Sequence, residues 1–106
     1  NKAIEGGTRT ADAPVDAYVD AYVFRAAAYR RLDKLELALA DIERALALRP
    51  DHPDGLLERG ILRRMRENDD GARQDWLNII RLAPLSPAAD VARRQLESMD
   101  VKQNPK

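Results

Sequence analysis

Apolar residues recur at helical spacing through most of the chain, in five stretches separated by polar or proline-containing turns. Tyr18, Tyr22, Ala26 and Tyr29 share one helical face, as do Leu35, Ala38, Ile42, Ala45 and Leu48 in the stretch that follows. Leu56, Gly60 and Arg63 mark a third helix, Ala72, Trp76, Ile79 and Ile80 a fourth, and Val91, Leu96 and Met99 a fifth, about 87–99. The punctuation agrees with this reading. Pro50 and Pro84 stop helices that proline cannot continue. Pro53 and Pro87 suit a first turn, where the missing N–H costs nothing, and Ser86 before Pro87 is a good N-cap. Asp33 with Glu36 reads as a capping box opening the second helix, and Asn68-Asp69-Asp70-Gly71 as the matching turn before the fourth. The pattern predicts an all-α protein of five helices.

The helices come in repeating pairs. Laid over residues 54–87, residues 20–53 show eight identities: Asp20 with Asp54, Arg25 with Arg59, Arg30 with Arg64, Ala38 with Ala72, Asp41 with Asp75, Leu48 with Leu82, Pro50 with Pro84, and Pro53 with Pro87. Chance agreement from composition is roughly two or three. The period is therefore 34 residues, and other pairs keep size and polarity: Ala26 with Gly60, Ile42 with Trp76, Leu46 with Ile80.

A 34-residue helix-turn-helix unit with these slots resembles the tetratricopeptide repeat. Tyr22, Ala26, Tyr29, Ala38, Ile42 and Pro50 fill the family's pattern in the first unit, and Leu56, Gly60, Arg63, Ala72, Trp76 and Pro84 in the second. The departures are Arg63 where an aromatic is usual, and Arg25 and Arg59 where leucine is commonest. The resemblance implies a right-handed α-solenoid of stacked antiparallel helix pairs, with repeats at 19–52 and 53–86 and a capping helix at 87–99 that solvates the end of the stack. The whole repeat domain is expected at 15–99, between an N-terminal tail at 1–14 and a polar tail at 100–106. Lys2-Ala3-Ile4 matches Arg44-Ala45-Leu46, so residues 1–14 also fit the remnant of an upstream repeat with Gly6-Gly7 as its stop. Val15-Asp16-Ala17-Tyr18 repeats as Val19-Asp20-Ala21-Tyr22, which extends the first helix by a turn.

Charge narrows the choice of function. The 106 residues carry 18 Lys+Arg and 18 Asp+Glu, so no net charge draws the chain to nucleic acid or an anionic membrane. With no cysteine there is no thiolate metal site, disulfide or cysteine nucleophile, and the compartment stays open between cytosol and periplasm. No apolar run approaches the ~18 residues that span a bilayer. His52, the single histidine, sits in a turn and has no fellow ligands, and Asp69-Asp70-Gly71 lacks the alternating oxygens of a calcium loop. No nucleophile, acid or base stands beside a partner group, so the reading is of a non-enzyme without cofactor or metal.

Arg30, Arg31, Arg63, Arg64 and Arg66 cluster at the C-terminal ends of the two first helices. Favourable placement at the helix dipole is the simpler account, and a basic edge for an acidic partner is the functional one. Arg25 and Arg59 recur with Asp41 and Asp75, which predicts pairs inside each unit, or in the stacking alternative between units, with a role in fixing helix register.

In the tetratricopeptide family, first helices line a concave groove that holds a peptide. The resemblance places Asp20, Val23, Phe24, Ala27 and Arg30 there from the first unit, and Asp54, Leu57, Glu58, Ile61, Arg64 and Met65 from the second, with Val91 and Gln95 added by the fifth helix. Where family members carry the Lys and Asn of a carboxylate clamp, this chain has Val23, Ala27, Leu57 and Ile61, so that clamp is absent. The expected function is a protein-interaction scaffold binding a protein or peptide segment through an apolar strip. The alternatives are a structural segment whose strip is covered by a second copy, as a homodimer, or by other repeats of a longer protein, and an accessory region of a larger enzyme.

Overall fold

The computed structural model describes residues 7–103, with side chains described over 14–100, and every element in it is helical. The helices are α1 (Gly7–Arg31), α2 (Leu35–Leu48), α3 (Pro53–Met65), α4 (Asp69–Leu82) and α5 (Pro87–Gln103). They divide into two compact units, residues 1–49 and 50–106. The match of Lys2-Ala3-Ile4 to a repeat end lies outside the described residues.

In the first unit α1 and α2 form an antiparallel hairpin. Two ion pairs set the direction: Arg25 in the last third of α1 reaches Asp41 in α2, and Asp16, earlier in α1, reaches Arg49 just past the end of α2 at 3.1 Å. Val19 and Ala26 from α1, with Ala38, Ile42, Ala45 and Leu46 from α2, are buried. Helix α1 starts at Gly7, ahead of the domain start expected at 15, and carries Pro14 inside it. Gly7, read as a helix stop, instead begins a helix.

The turn after α1 is a Schellman motif. Lys34 N–H donates to the Tyr29 carbonyl at 2.8 Å and Asp33 N–H to the Arg30 carbonyl at 2.9 Å, satisfying carbonyls that the helix end leaves open. Asp33 pays for this with a left-handed backbone, φ 62°, a conformation that favours glycine. The capping box expected from Asp33 and Glu36 is therefore not what opens α2: Asp33 terminates α1, and the N-cap of α2 is Lys34, with no side-chain cap.

The second unit is a hairpin with an added helix. Its first turn reproduces the Schellman motif 34 residues later, with Asn68 N–H to the Arg63 carbonyl at 2.8 Å, Glu67 N–H to the Arg64 carbonyl at 2.9 Å, and Glu67 at φ 65°. Here the N-cap is good, because Asn68 Oδ1 accepts from Gly71 N–H at 3.0 Å. His52 Nδ1 caps α3 by accepting from Gly55 N–H at 3.0 Å, and Ser86 Oγ caps α5 by accepting from Ala89 N–H at 3.0 Å. Helix α5 packs on α4 and α3 and runs to Gln103, past the Met99 end read from the pattern. Arg73 in α4 reaches Asp100 in α5 at 3.2 Å.

Trp76 is fully buried in this unit, as are Leu62, Ala72, Ile79 and Ala92. Its indole lies against Gly60 so closely that a Cβ built there would stand 2.3 Å from Nε1. The slot pair that is alanine and isoleucine in the first unit has become glycine and tryptophan in the second, conserving packed volume by exchanging size across the interface.

Candidate functional site

Each hairpin is locked by a buried aspartate in its second helix. In the first, Arg25 grips Asp41 with both ends of its guanidinium, Nε to Oδ2 at 2.6 Å and Nη2 to Oδ1 at 2.8 Å, and Arg44 adds a third bond at 2.8 Å. In the second, Arg59 grips Asp75 in the same way at 3.0 and 2.9 Å, and Arg63 adds the third at 3.1 Å. A buried carboxylate is costly unless its oxygens are bonded to cations, and three charge-assisted bonds supply that here. The hydrogen bonds from Arg25 hold the Asp41 carboxyl below its ordinary range, against the upward push of burial, and Asp41 in turn raises Arg25. The pairs fall within units, as the simpler form of the sequence reading expected.

The supporting contacts differ between the two hairpins. Arg25 stands over the rings of Tyr22 and Tyr29, 6.0 and 5.8 Å from their centres, and Arg44 over Tyr22 at 6.0 Å. In the second unit the aromatic slot of Tyr29 holds Arg63, and that arginine supplies the extra bond to the aspartate. The departure at Arg63 thus has a structural purpose. Arg44 was missed in the sequence, although its place three residues after Asp41 on one helical face was the available signal.

The groove residues distribute as follows. On α1, Asp20 and Phe24 are exposed, while Val23, Ala27 and Arg30 are half-buried. On α3, Asp54 and Met65 are exposed and Leu57, Ile61 and Arg64 half-buried, while Glu58 is buried, with 7% of its surface left. Leu57 and Ile61, apolar residues read as exposed on the groove face, are half-buried, and Glu58 is buried and not available to a ligand in this state. On α5, Val91 and Gln95 are half-buried. Arg64 and Gln95 are brought together, Nη1 to Oε1 at 2.9 Å, and Arg64 Nη2 also reaches Ser98 Oγ at 3.3 Å. With Arg63 held by Asp75 and Arg64 by α5, two members of the expected basic edge bond within their own unit.

Among the described residues no group of three or more His, Cys, Asp or Glu side chains could hold a metal ion, and no helix is long and apolar enough to cross a membrane. Helical hairpins with matched slots, linked by short turns and followed by one further helix, define the class of helical-repeat proteins. Comparison with family models makes this specific: the tetratricopeptide repeat model matches residues 19–52, so that stretch is similar to the repeats of a family of protein-interaction modules. A search of curated proteins finds no match.

Proposed function

We propose that the chain is a non-catalytic scaffold module that holds a peptide or protein segment on the first-helix faces of its hairpins. The observation that carries this reading is in the second unit, where the Arg64–Gln95 bond sets the face of α3 beside that of α5. Leu57 and Ile61 on α3 and Val91 on α5 stay half-open to water there. Apolar surface left part-wet beside polar side chains is the composition of a contact site. In the first unit Val23 and Ala27 with Asp20 and Arg30 offer the same mixture. The ligand is an apolar segment, since no lysine–asparagine clamp is present to select a free carboxylate terminus.

The test is selection of binders from a random peptide display library, followed by titration of the recovered peptide against wild type and Leu57→Asp. A charge at Leu57 should weaken binding at least tenfold, about 1.4 kcal/mol, while circular dichroism shows helicity unchanged. Undiminished affinity in a folded Leu57→Asp would refute the assignment of this face.

A further inference from the structure

The lock of the first hairpin holds more positive charge than its aspartate cancels. Asp41 is buried, and its one negative charge faces two guanidinium groups, those of Arg25 and Arg44. It is bonded by Nε and Nη2 of Arg25 and by Nη1 of Arg44. A guanidinium has five N–H donors, so both arginines keep donors outside these bonds. Both also stay open to water, with 55% and 54% of their side chains exposed. In the second hairpin the two cations around Asp75 are closed in, Arg59 at 20% and Arg63 at 29%.

The helical neighbours do not offset the surplus. Apart from Asp41, no residue three or four positions from Arg25 or Arg44 is acidic. Tyrosines stand there instead. The Tyr22 ring lies under both guanidinium groups and that of Tyr29 under Arg25. One turn before Tyr22, the side chain of Tyr18 is exposed.

We propose that this open flank binds an aspartate or glutamate side chain of an acidic peptide segment. Two cations and one buried anion leave a single positive charge, which one carboxylate neutralises. A phosphate dianion would overshoot and set excess negative charge beside the buried Asp41. Exposed ion pairs are weak largely because two long side chains must be ordered to make them. Here Asp41 and the tyrosine rings already hold the guanidinium groups, so less freedom is left to lose on binding. The remaining N–H groups suit carboxylate oxygens, and Tyr18 offers a ring for the peptide to lie on. The site shares no residue with the face of Leu57 and Ile61, so either can fail without the other.

The probe is the blocked pentapeptide acetyl-Gly-Ser-Glu-Ser-Gly-amide, whose glutamate is its one charge, with the glutamine analogue as control. The Arg25 Nε–H resonance is followed by two-dimensional NMR at low salt, where screening is least. The glutamate peptide should give a saturable shift, with affinity at least about tenfold weaker for the glutamine peptide and for Arg44→Asn. Arg44→Asn copies Asn78 of the second unit and leaves the Arg25–Asp41 pair in place. Arg94→Gln removes the same charge from an exposed position on α5 and should leave affinity unchanged. A shift that does not saturate, equal affinity for the two peptides, or undiminished binding by a folded Arg44→Asn would overturn the proposal. So would equal weakening by Arg94→Gln, which means bulk charge and not a site. Tighter binding of inorganic phosphate than of the glutamate peptide would overturn the choice of a carboxylate. If Arg44→Asn does not fold, the comparison of the two peptides on the natural chain decides.

Discussion

Substituting Gly60 by alanine ought to help an ordinary helix, and here it should harm. A mid-helix glycine costs about 1 kcal/mol relative to alanine, so propensity alone favours the change. Against that, the new Cβ would meet three indole atoms of Trp76, Nε1 at 2.3 Å, Cε2 at 2.7 Å and Cδ1 at 2.8 Å. The indole must retreat by roughly 1 Å to restore ordinary contact, yet it is fully buried, and in a densely packed interior such a retreat displaces its neighbours. Overpacking of this kind costs about 1–3 kcal/mol. The depth of the clash puts Gly60→Ala in the upper half of that range, for a net loss of about 1–2 kcal/mol and a melting temperature lower by about 5–10 °C. In a Trp76→Ile background, which reproduces the Ala26–Ile42 pairing of the first unit, the same Gly60→Ala change should become stabilising by up to about 1 kcal/mol. Urea denaturation followed by circular dichroism measures all four corners of the cycle. A stabilising Gly60→Ala in the wild-type background would refute the packing argument.

Glu67 holds a left-handed backbone without being glycine, so Glu67→Gly should raise stability by about 1 kcal/mol, measured by the same denaturation; a loss would mean that its side chain matters more than its φ. Arg59 and Asp75 should couple by about 1 kcal/mol or more in a double-mutant cycle, and independence of the two substitutions would remove the lock from the second hairpin. The depressed Asp41 carboxyl binds protons less readily folded than unfolded. Its stabilisation is therefore complete above the ordinary carboxylate value of 3.8 and fades as pH falls below that toward the lower folded value. The stability gap between wild type and Asp41→Asn should be level above about pH 5 and close under acid; a gap that persists unchanged at low pH would contradict the ion-pair account.

The five helices, the hairpin pairing and both arginine–aspartate locks were legible because each is repeated at one fixed offset, which separates signal from composition. What was not legible depends on balances that spacing does not weigh. The first helix was expected to begin with the domain at 15, but α1 begins at Gly7 and keeps Pro14 inside it, where the missing hydrogen bond is outweighed by the rest of the helix. Asp33 reads as a cap for α2 because aspartate is a good N-cap, but the backbone spends it on closing α1. Among the groove residues, periodicity fixes the angle around the helix and not the depth of burial. Glu58 was therefore placed on a contact face with no sign that it would be buried.

The two hairpins share a plan but not their parts, and this bears on how faithfully the chain selects its own partners while folding. A hairpin built from α1 and α4 would press the Ala26 methyl on Trp76, which tolerates only glycine, and would leave Asp75 with Arg25 alone, since Asn78 stands where α2 has Arg44. One built from α3 and α2 would crowd Arg59, Arg63 and Arg44 around the single carboxylate of Asp41. Similar repeats in one chain are prone to exchange halves, and here each wrong match carries a steric or a charge penalty that the right one lacks. A chain with α2 and α4 transposed should accordingly melt well below the natural order, with the same residues, composition and net charge.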